Sequence, residues 1–483
     1  MNKIVWGASG GYHDASICVV KNNELVFGSS TERYSRVKND KNFNFEIIKD
    51  ALQFGYPDKV IWYENFFKRF FRSLLIDKKL IKYPDLQDMK YFVSKFSFCN
   101  HHESHLSSSL YTAPFETKNT LGVVIDSVGE FNTTSFWKIH DLKYKQIHSK
   151  KYPNSLGLFY SSITHALGLK PQEEEYIMMG MSSYGKSERY YEFFKKNFFD
   201  KNYNLKIDLR RGCKGLFSQD IIENDKFEIA FGAQKIYEEI IITWIKKYLY
   251  KTKSKNLLLS GGCILNCLAN TKLLNLADNV WLFPNPGDSG SAVGAALGYL
   301  KNKIELKNMF LGHDAGDIKD IYPIIDTLKN DYVVGIINGK AEFGPRSLGN
   351  RAILADPRKQ NIKDIVNNIK GRELFRPFAP IILKDYASDI FEMKQKSSPY
   401  MSYVLKCKQP SIYPAIVHID GTSRIQTVDE NSGQIYNILK EWFKQTNCPL
   451  LLNTSLNIKG KPLLNNKNDI AEFNNLSFKI FSA

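Results

Sequence analysis

The chain has 483 residues, too many for one ordinary hydrophobic core, and its 43% hydrophobic and 13% aromatic content supplies enough for two domains. Lys and Arg total 66 against 50 Asp and Glu, a net charge of +16 that favours a polyanionic partner, although lysines that merely solvate the surface give the same balance. Seven scattered cysteines without paired metal spacing argue against a disulfide scaffold, and no apolar run is long enough to cross a bilayer, so a cytoplasmic chain with no membrane partner is expected.

Strand-like Ile4-Val5-Trp6-Gly7-Ala8-Ser9 leads into the turn Gly10-Gly11-Tyr12-His13-Asp14. Histidine titrates near neutral pH, so His13 is a candidate to take the proton of an acceptor hydroxyl, with Asp14 orienting the ring or the acceptor; a capped turn is the plainer alternative. Ala15-Ser16-Ile17-Cys18-Val19-Val20 and Leu25-Val26-Phe27-Gly28 then read as two strands about Asn22-Asn23. Residues 66–83 interleave phenylalanine with Lys68, Arg69, Arg72, Lys78, Lys79 and Lys82. That mixture suits stacked single-stranded or flipped nucleotides, or else an amphipathic helix with aromatics inward and cations in water. In His101-His102-Glu103-Ser104-His105 the outer histidines are four apart, on one face of a helix, where two imidazoles can share a metal. Asp126 and Asp288, each at the end of a strand, are the best candidates to complete a mixed N/O set for iron, zinc or manganese.

A long core-facing helix is expected over residues 231–251, and the strand Asn256-Leu257-Leu258-Leu259-Ser260 runs into Gly261-Gly262-Cys263-Ile264-Leu265-Asn266. That turn and Gly287-Asp288-Ser289-Gly290 are glycine-opened helix starts, natural cradles for an anion, and Gly261, Gly262, Asn266, Ser289 and Gly290 are the candidate nucleotide contacts. The pattern weakens after residue 300, and the domain boundary is placed there, dividing residues 1–315 from 316–483. Beyond the strand Tyr332-Val333-Val334-Gly335-Ile336-Ile337 comes a run, residues 341–358, in which glycine, proline and Arg346, Arg351 and Arg358 recur without helical or strand period. Such a run shapes a loop for phosphate or carboxylate. Lys370, Arg376, Arg424, Asn453 and Ser455 add cations and short polar donors suited to a small phosphorylated compound.

In this order the motifs resemble those of the O-carbamoyltransferases that decorate antibiotics and nodulation factors. The resemblance runs from Tyr12-His13-Asp14, Glu32-Arg33 and the His101 cluster through Asp126 to Glu130, Ser155-Leu156-Gly157, Met179-Gly180, the two glycine turns and the Arg346 loop to the Phe375, His418 and Leu452 motifs. It implies an α/β chain with an actin/hexokinase-like (ASKHA) amino-terminal domain, related to the enzymes that transfer threonylcarbamoyl to tRNA, and a smaller YrdC-like carboxyl-terminal domain. By resemblance the smaller domain joins the carbamoyl group of carbamoyl phosphate to ATP, with magnesium, as carbamoyl-adenylate, and the larger one passes it to a hydroxyl. His101, His105, Asp126 and Asp288 would hold the metal, His13 with Asp14 would act at the acceptor, Arg346 would be catalytic, and Arg346, Lys370, Arg376, Arg424, Asn453 and Ser455 would bind carbamoyl phosphate. The chain departs from the family at Ile177, where a lysine is usual, and at Ser127, where a glycine is usual. The basic composition and residues 66–83 point to a hydroxymethylated pyrimidine in DNA as acceptor; the alternatives are a sugar or other secondary metabolite, threonylcarbamoyl transfer to tRNA, and a non-catalytic metal-dependent nucleic-acid-binding protein.

Overall fold

Apolar runs closed by acid or glycine turns become the strands of two sheets of like design in the computed structural model, which describes residues 3–82, 86–473 and 478–483. In the first, β1 (Ile4–Ser9), β2 (Ser16–Lys21) and β3 (Glu24–Ser30) form an antiparallel meander, and β4 (Lys59–Trp62) and β5 (Phe96–Phe98) extend it in parallel from β1. In the second, β6 (Thr120–Gly129), β7 (Asn132–His140) and β8 (Lys143–Lys151) form the meander, and β9 (Asn256–Ser260) and β10 (Asn279–Leu282) extend it from β6. Order and strand sense are the same in both. The amino-terminal part is therefore a structural duplication, the arrangement of the actin/hexokinase-like folds, whose halves are too long and too diverged to register as a short-period repeat.

The carboxyl-terminal part is built on the mixed sheet β18-β15-β19-β14-β12-β20, made of β12 (Val333–Ile337), β14 (Arg351–Ala355), β15 (Ala379–Leu383), β18 (Gln426–Val428), β19 (Leu450–Ser455) and β20 (Lys479–Ser482). Two small ribbons flank it, β11 (Phe310–Asp314) with β13 (Lys340–Glu342) and β16 (Val404–Lys406) with β17 (Thr422–Arg424). Every residue of β12, β14 and β15 is buried, which is why β12, β15 and β14 beyond its first residue, Arg351, read as apolar runs rather than alternating ones. The expected class, an α/β chain with an amino-terminal actin/hexokinase-like unit followed by a smaller α/β unit, matches the sheet order observed.

Apolar side chains gather into three cores, one on the first sheet, one between the second sheet and the helix Gln219–Thr252, and one around the carboxyl-terminal sheet. The helix Asp288–Leu300 packs against β1 and against the helix His101–Leu110. A Cβ at Gly294 would sit 1.6 Å from the Ser104 carbonyl oxygen, so only glycine lets the two helices cross this closely. That crossing brings Asp288, at the start of one helix, to the histidines of the other.

Residues 66–82 differ from the amphipathic expectation in which face is wet; Tyr83, the last residue of the expected segment, lies outside the described residues. Phe67 and Phe71 on the helix Phe66–Arg72 are exposed, whereas Arg72 is buried and Arg69 turns inward onto Glu64 at 3.2 Å. The buried Glu64 and the half-buried Asp77 draw the arginines in and leave the rings of Phe67 and Phe71 outside.

Candidate active site

The centre of the site is held by His101, His105, Asp126 and Asp288, one ligand atom from each lying within 4.8 Å of all the others, and all four residues buried. The Nε2 atoms of His101 and His105 are 3.2 Å apart, His101 Nε2 is 2.8 Å from Asp126 Oδ2, and His105 Nε2 is 3.2 Å from Asp288 Oδ1. Two imidazole nitrogens at hydrogen-bond distance with carboxylate oxygens beside them match the ligand-to-ligand edges around one cation, about 3.0–3.4 Å for bonds of about 2.1 Å. Outer partners point the rings. Ser291 Oγ lies 2.9 Å from His105 Nδ1, and the buried Glu64 carboxylate is 3.6 Å from His101 Nδ1, which has no hydrogen-bond partner. Burial opposes charge here, but Asp288 and the Asp126 hydrogen bond hold His101 well above the ordinary imidazole value, and hydrogen bonds from His101 and His105 hold Asp126 well below the ordinary carboxylate value. The donor set and its surroundings fit a divalent cation.

His13 stands at the rim of this cluster, its Nδ1 3.1 Å from Asp14 Oδ2 and its Nε2 3.4 Å from Asp288 Oδ2. Burial alone would depress its pKa; Asp288 first, then Asp14, raise it to about 9. Both His13 and Asp14 face a cavity of about 900 Å³ that runs from the metal-type cluster to the carboxyl-terminal sheet.

The far end of the cavity is cationic. Arg346, Lys370, Arg372, Arg376 and Arg424 line it together with Asn453 and Ser455. Arg346, on the loop between β13 and β14, makes one bond, to the Leu265 carbonyl at 3.3 Å, and burial with the nearby Arg424 pushes it down to about 9. Arg372, braced by Asn367 at 2.7 Å and lying on the Phe378 ring, is pushed down to about 8 by burial, Arg376 and Arg424. A guanidinium keeps its proton, so these shifts express charge buried without a counterion, which an anion would supply. Arg424 Nε and Asn453 Oδ1 are buried without hydrogen-bond partners among the described residues. Lys370 is held differently, by the Ser455 carbonyl, Ser455 Oγ at 3.1 Å and Asn457 Oδ1 at 2.8 Å, while burial, Arg372 and Arg376 lower its pKa. Arg376 lies 3.4 Å from Glu373 and over the Tyr176 ring.

Of the three arginines in the run 341–358, only Arg346 reaches the cavity. Arg351 is fully buried and donates to the carbonyls of Asn465, Asn338, Asn350, His313 and Gly339 at 2.7–3.1 Å, while Arg358 pairs with Asp356. The run is half ligand loop and half internal staple. Among the expected nucleotide contacts, Gly262, Asn266 and Ser289 line the cavity. Gly261 and Gly290 pack instead, since a Cβ would fall 2.2 Å from the Ile125 oxygen and 1.7 Å from the Asn285 oxygen. The Asn266 side chain caps the helix Cys267–Leu273 and exchanges hydrogen bonds with Gln234 at 2.8 and 3.0 Å. Ser127 is accommodated because Gly157 faces it without a Cβ, and Ile177 is buried in the core while Tyr176 beside it lines the cavity. Lys38, above the Tyr176 ring, and Lys170 bring cations to that wall from elsewhere in the chain. From sequence, Arg372 stands in the run of cations suited to a small phosphorylated compound but not among the assigned carbamoyl phosphate contacts, and Glu64 is not singled out. The spacing Arg372-x-x-x-Arg376 was a usable signal for the first; nothing local marks the second.

A duplicated actin/hexokinase-like unit joined to a cation-lined α/β unit across one cavity defines a group-transfer protein with an anion-handling end and a metal-type end. The chain belongs to the carbamoyltransferase family: residues 58–297 match the carbamoyltransferase N-terminus and residues 325–479 the carbamoyltransferase C-terminus. It is 32% identical over 413 residues to nodulation protein NolO of Bradyrhizobium diazoefficiens, covering 77% of this chain and 75% of that one. It is 39% identical over 230 residues to nodulation protein U of Azorhizobium caulinodans, covering 44% and 41%. An uncharacterized Synechocystis protein, sll1178, is 28% identical across 95% of this chain and 92% of its own length. Among solved structures, full-length HypF in a phosphate- and nucleotide-bound form aligns at 13% identity and a TM-score of 0.40, covering 62% of this chain and 55% of HypF. The chain is a transferase.

Proposed function

We propose that the protein transfers the carbamoyl group of carbamoyl phosphate to an acceptor hydroxyl through carbamoyl-adenylate, using both ends of the cavity. The observation that carries this reading is the buried cation set without counterions at one end of a single cavity whose other end presents His13 beside the His/Asp cluster. At the cationic end Arg346, Arg372, Arg424 and Lys370 would bind the phosphate of carbamoyl phosphate and the phosphates of ATP. Water attacks the carbamoyl carbon, the bond from that carbon to the phosphate oxygen breaks and phosphate leaves; an oxygen of the resulting carbamate then attacks the α-phosphorus of ATP, the bond from that phosphorus to the β-phosphate oxygen breaks, and pyrophosphate leaves. At the other end the acceptor oxygen attacks the carbamoyl carbon, and AMP leaves. His101, His105, Asp126 and Asp288 would hold a divalent cation (iron, zinc or manganese), which supplies Lewis acidity to an oxygen placed beside it. With Nδ1 directed at Asp14, His13 would take the acceptor proton at Nε2; the carboxylate that most raises its pKa, Asp288, is one that a cation would neutralise, which returns the ring towards the range of a base. A division of labour between residues 1–315 and 316–483 follows from the same placement.

We read the acceptor as an uncharged hydroxyl compound in preference to hydroxymethylated DNA. Arg69 and Arg72, on which the DNA expectation leaned, lie against Glu64 and Asp77. Guanidinium groups already paired with carboxylates offer little to a polyphosphate chain. Incubation with carbamoyl phosphate, ATP and a panel of sugars, secondary metabolites and hydroxymethylated oligonucleotides, read by mass spectrometry, tests this. A carbamoyl increment on the oligonucleotide alone would overturn it.

A further inference from the structure

The helix Phe66–Arg72 and the π-helical turn Ser73–Asp77 that continues it form an edge of the active-site cavity, and the two sides of this edge are unlike. Inward, Arg69 and Arg72 line the cavity. Outward, Phe67, Phe71, Leu74 and Leu75 are 63%, 52%, 40% and 60% exposed, and Leu80 just beyond is 77% exposed. Phe67 and Phe71 share one face of the helix at i and i+4, and Leu74 and Leu75 continue the exposed apolar surface on the π-helical turn. Within residues 66–82 the exposed charges are all positive, Lys68, Lys78, Lys79 and Lys82, and Arg210, paired with Asp208, reaches the Ile76 carbonyl from a neighbouring segment. Asp77, the only carboxylate between residues 66 and 82, is turned away onto the Tyr152 hydroxyl at 2.7 Å and towards Arg72.

We propose that this edge docks on an anionic lipid surface, with these apolar side chains in the headgroup boundary and the lysines against lipid phosphates. A short helix with aromatic and leucine side chains on one face and lysines flanking them lies in a membrane interface, and anionic lipid supplies the complementary charge. Two other occupants fit less well. A two-fold contact between copies of the chain would set the same lysines against each other. Single-stranded nucleic acid would satisfy the lysines and stack on Phe67 and Phe71 but leave Leu74, Leu75 and Leu80 in water. The expectation of no membrane partner rested on the lack of a spanning segment; no helix among the described residues is long and apolar enough to cross a membrane, and a helix that lies on the surface needs no such length. Docking would hold the cavity edge at the lipid boundary, where an amphiphilic hydroxyl acceptor presents its polar end.

The test is co-sedimentation of the full chain with phosphatidylcholine vesicles, with and without phosphatidylglycerol, at low and physiological salt. Binding that requires phosphatidylglycerol and weakens with salt is expected. Phe71→Ser with Leu75→Ser, and separately Lys78→Glu with Lys79→Glu, should each weaken it by about tenfold or more while the thermal transition of the free protein stays in place. The proposal is overturned by absence of vesicle binding, by equal binding to neutral vesicles, or by binding that neither variant changes. Self-association or oligonucleotide binding that the same substitutions remove, without vesicle binding, overturns it in favour of those partners.

Discussion

Loading the cationic end of the cavity with an anion should stabilise the protein strongly, and removing one of its arginines should not weaken the free protein. Arg346, Arg372, Arg424 and Lys370 share this end with no free carboxylate, since Glu373 already serves Arg376 and Lys459. An anion that binds only the folded state adds about 2.7 kcal/mol at a hundred times its Kd. For a folding unit of 150–250 residues that is about 5–10 °C in Tm at about 2–4 °C per kcal/mol. Sulfate suits the assay because it does not titrate near neutral pH; it is compared with chloride at matched ionic strength by differential scanning fluorimetry. Arg346→Ala should lose most of the shift, yet keep or raise the Tm of the free protein, because Arg346 gives up a single long bond to the Leu265 carbonyl and a repelled, buried charge. An equal shift in wild type and variant, or none at saturating sulfate, would refute the reasoning.

Arg351→Met should behave oppositely: it strips five backbone carbonyls of a charged donor and should cost about 5 kcal/mol or more in urea unfolding, and a loss under about 1 kcal/mol would remove its role as a staple. His101→Ala and His105→Ala should each lose bound metal by elemental analysis; unchanged stoichiometry in both would place the metal elsewhere. Because neighbouring carboxylates hold both imidazoles above their ordinary value, and a ligating imidazole must give up its proton, metal binding should release protons and weaken as pH falls. Calorimetry in buffers of different ionisation enthalpy measures that release, and its absence would contradict the account. Gly294→Ala should reduce metal content without touching a ligand, since its Cβ forces the helix Asp288–Leu300 off the helix His101–Leu110; full metal content in the variant would mean that the crossing does not set the site.

Much of this site is legible before folding because its chemistry sits at the ends of short apolar runs. Asp126 ends an unbroken apolar stretch of β6, and His101 and His105 declare their shared face by spacing alone. The duplication of the two amino-terminal sheets is not legible, since it lies in strand order and sense, which crossovers of different length conceal. Nor can a string of letters separate Arg346 from Arg351. Both stand in one glycine-rich run, and only tertiary structure decides which guanidinium meets five carbonyls and which is left for a ligand. The helix Phe66–Arg72 shows the same limit: its stripe is evident from spacing, but which side is wet depends on the buried Glu64 and on Asp77 folding back towards Arg72.

The most direct test of the two-ended cavity is pyrophosphate release before any acceptor is added. With ATP and carbamoyl phosphate together the protein should release pyrophosphate and phosphate in equal amounts, with neither formed when one substrate is omitted and both lost in Arg346→Ala. Pyrophosphate release that ignores carbamoyl phosphate, or carbamoylation that proceeds without ATP, would contradict the account.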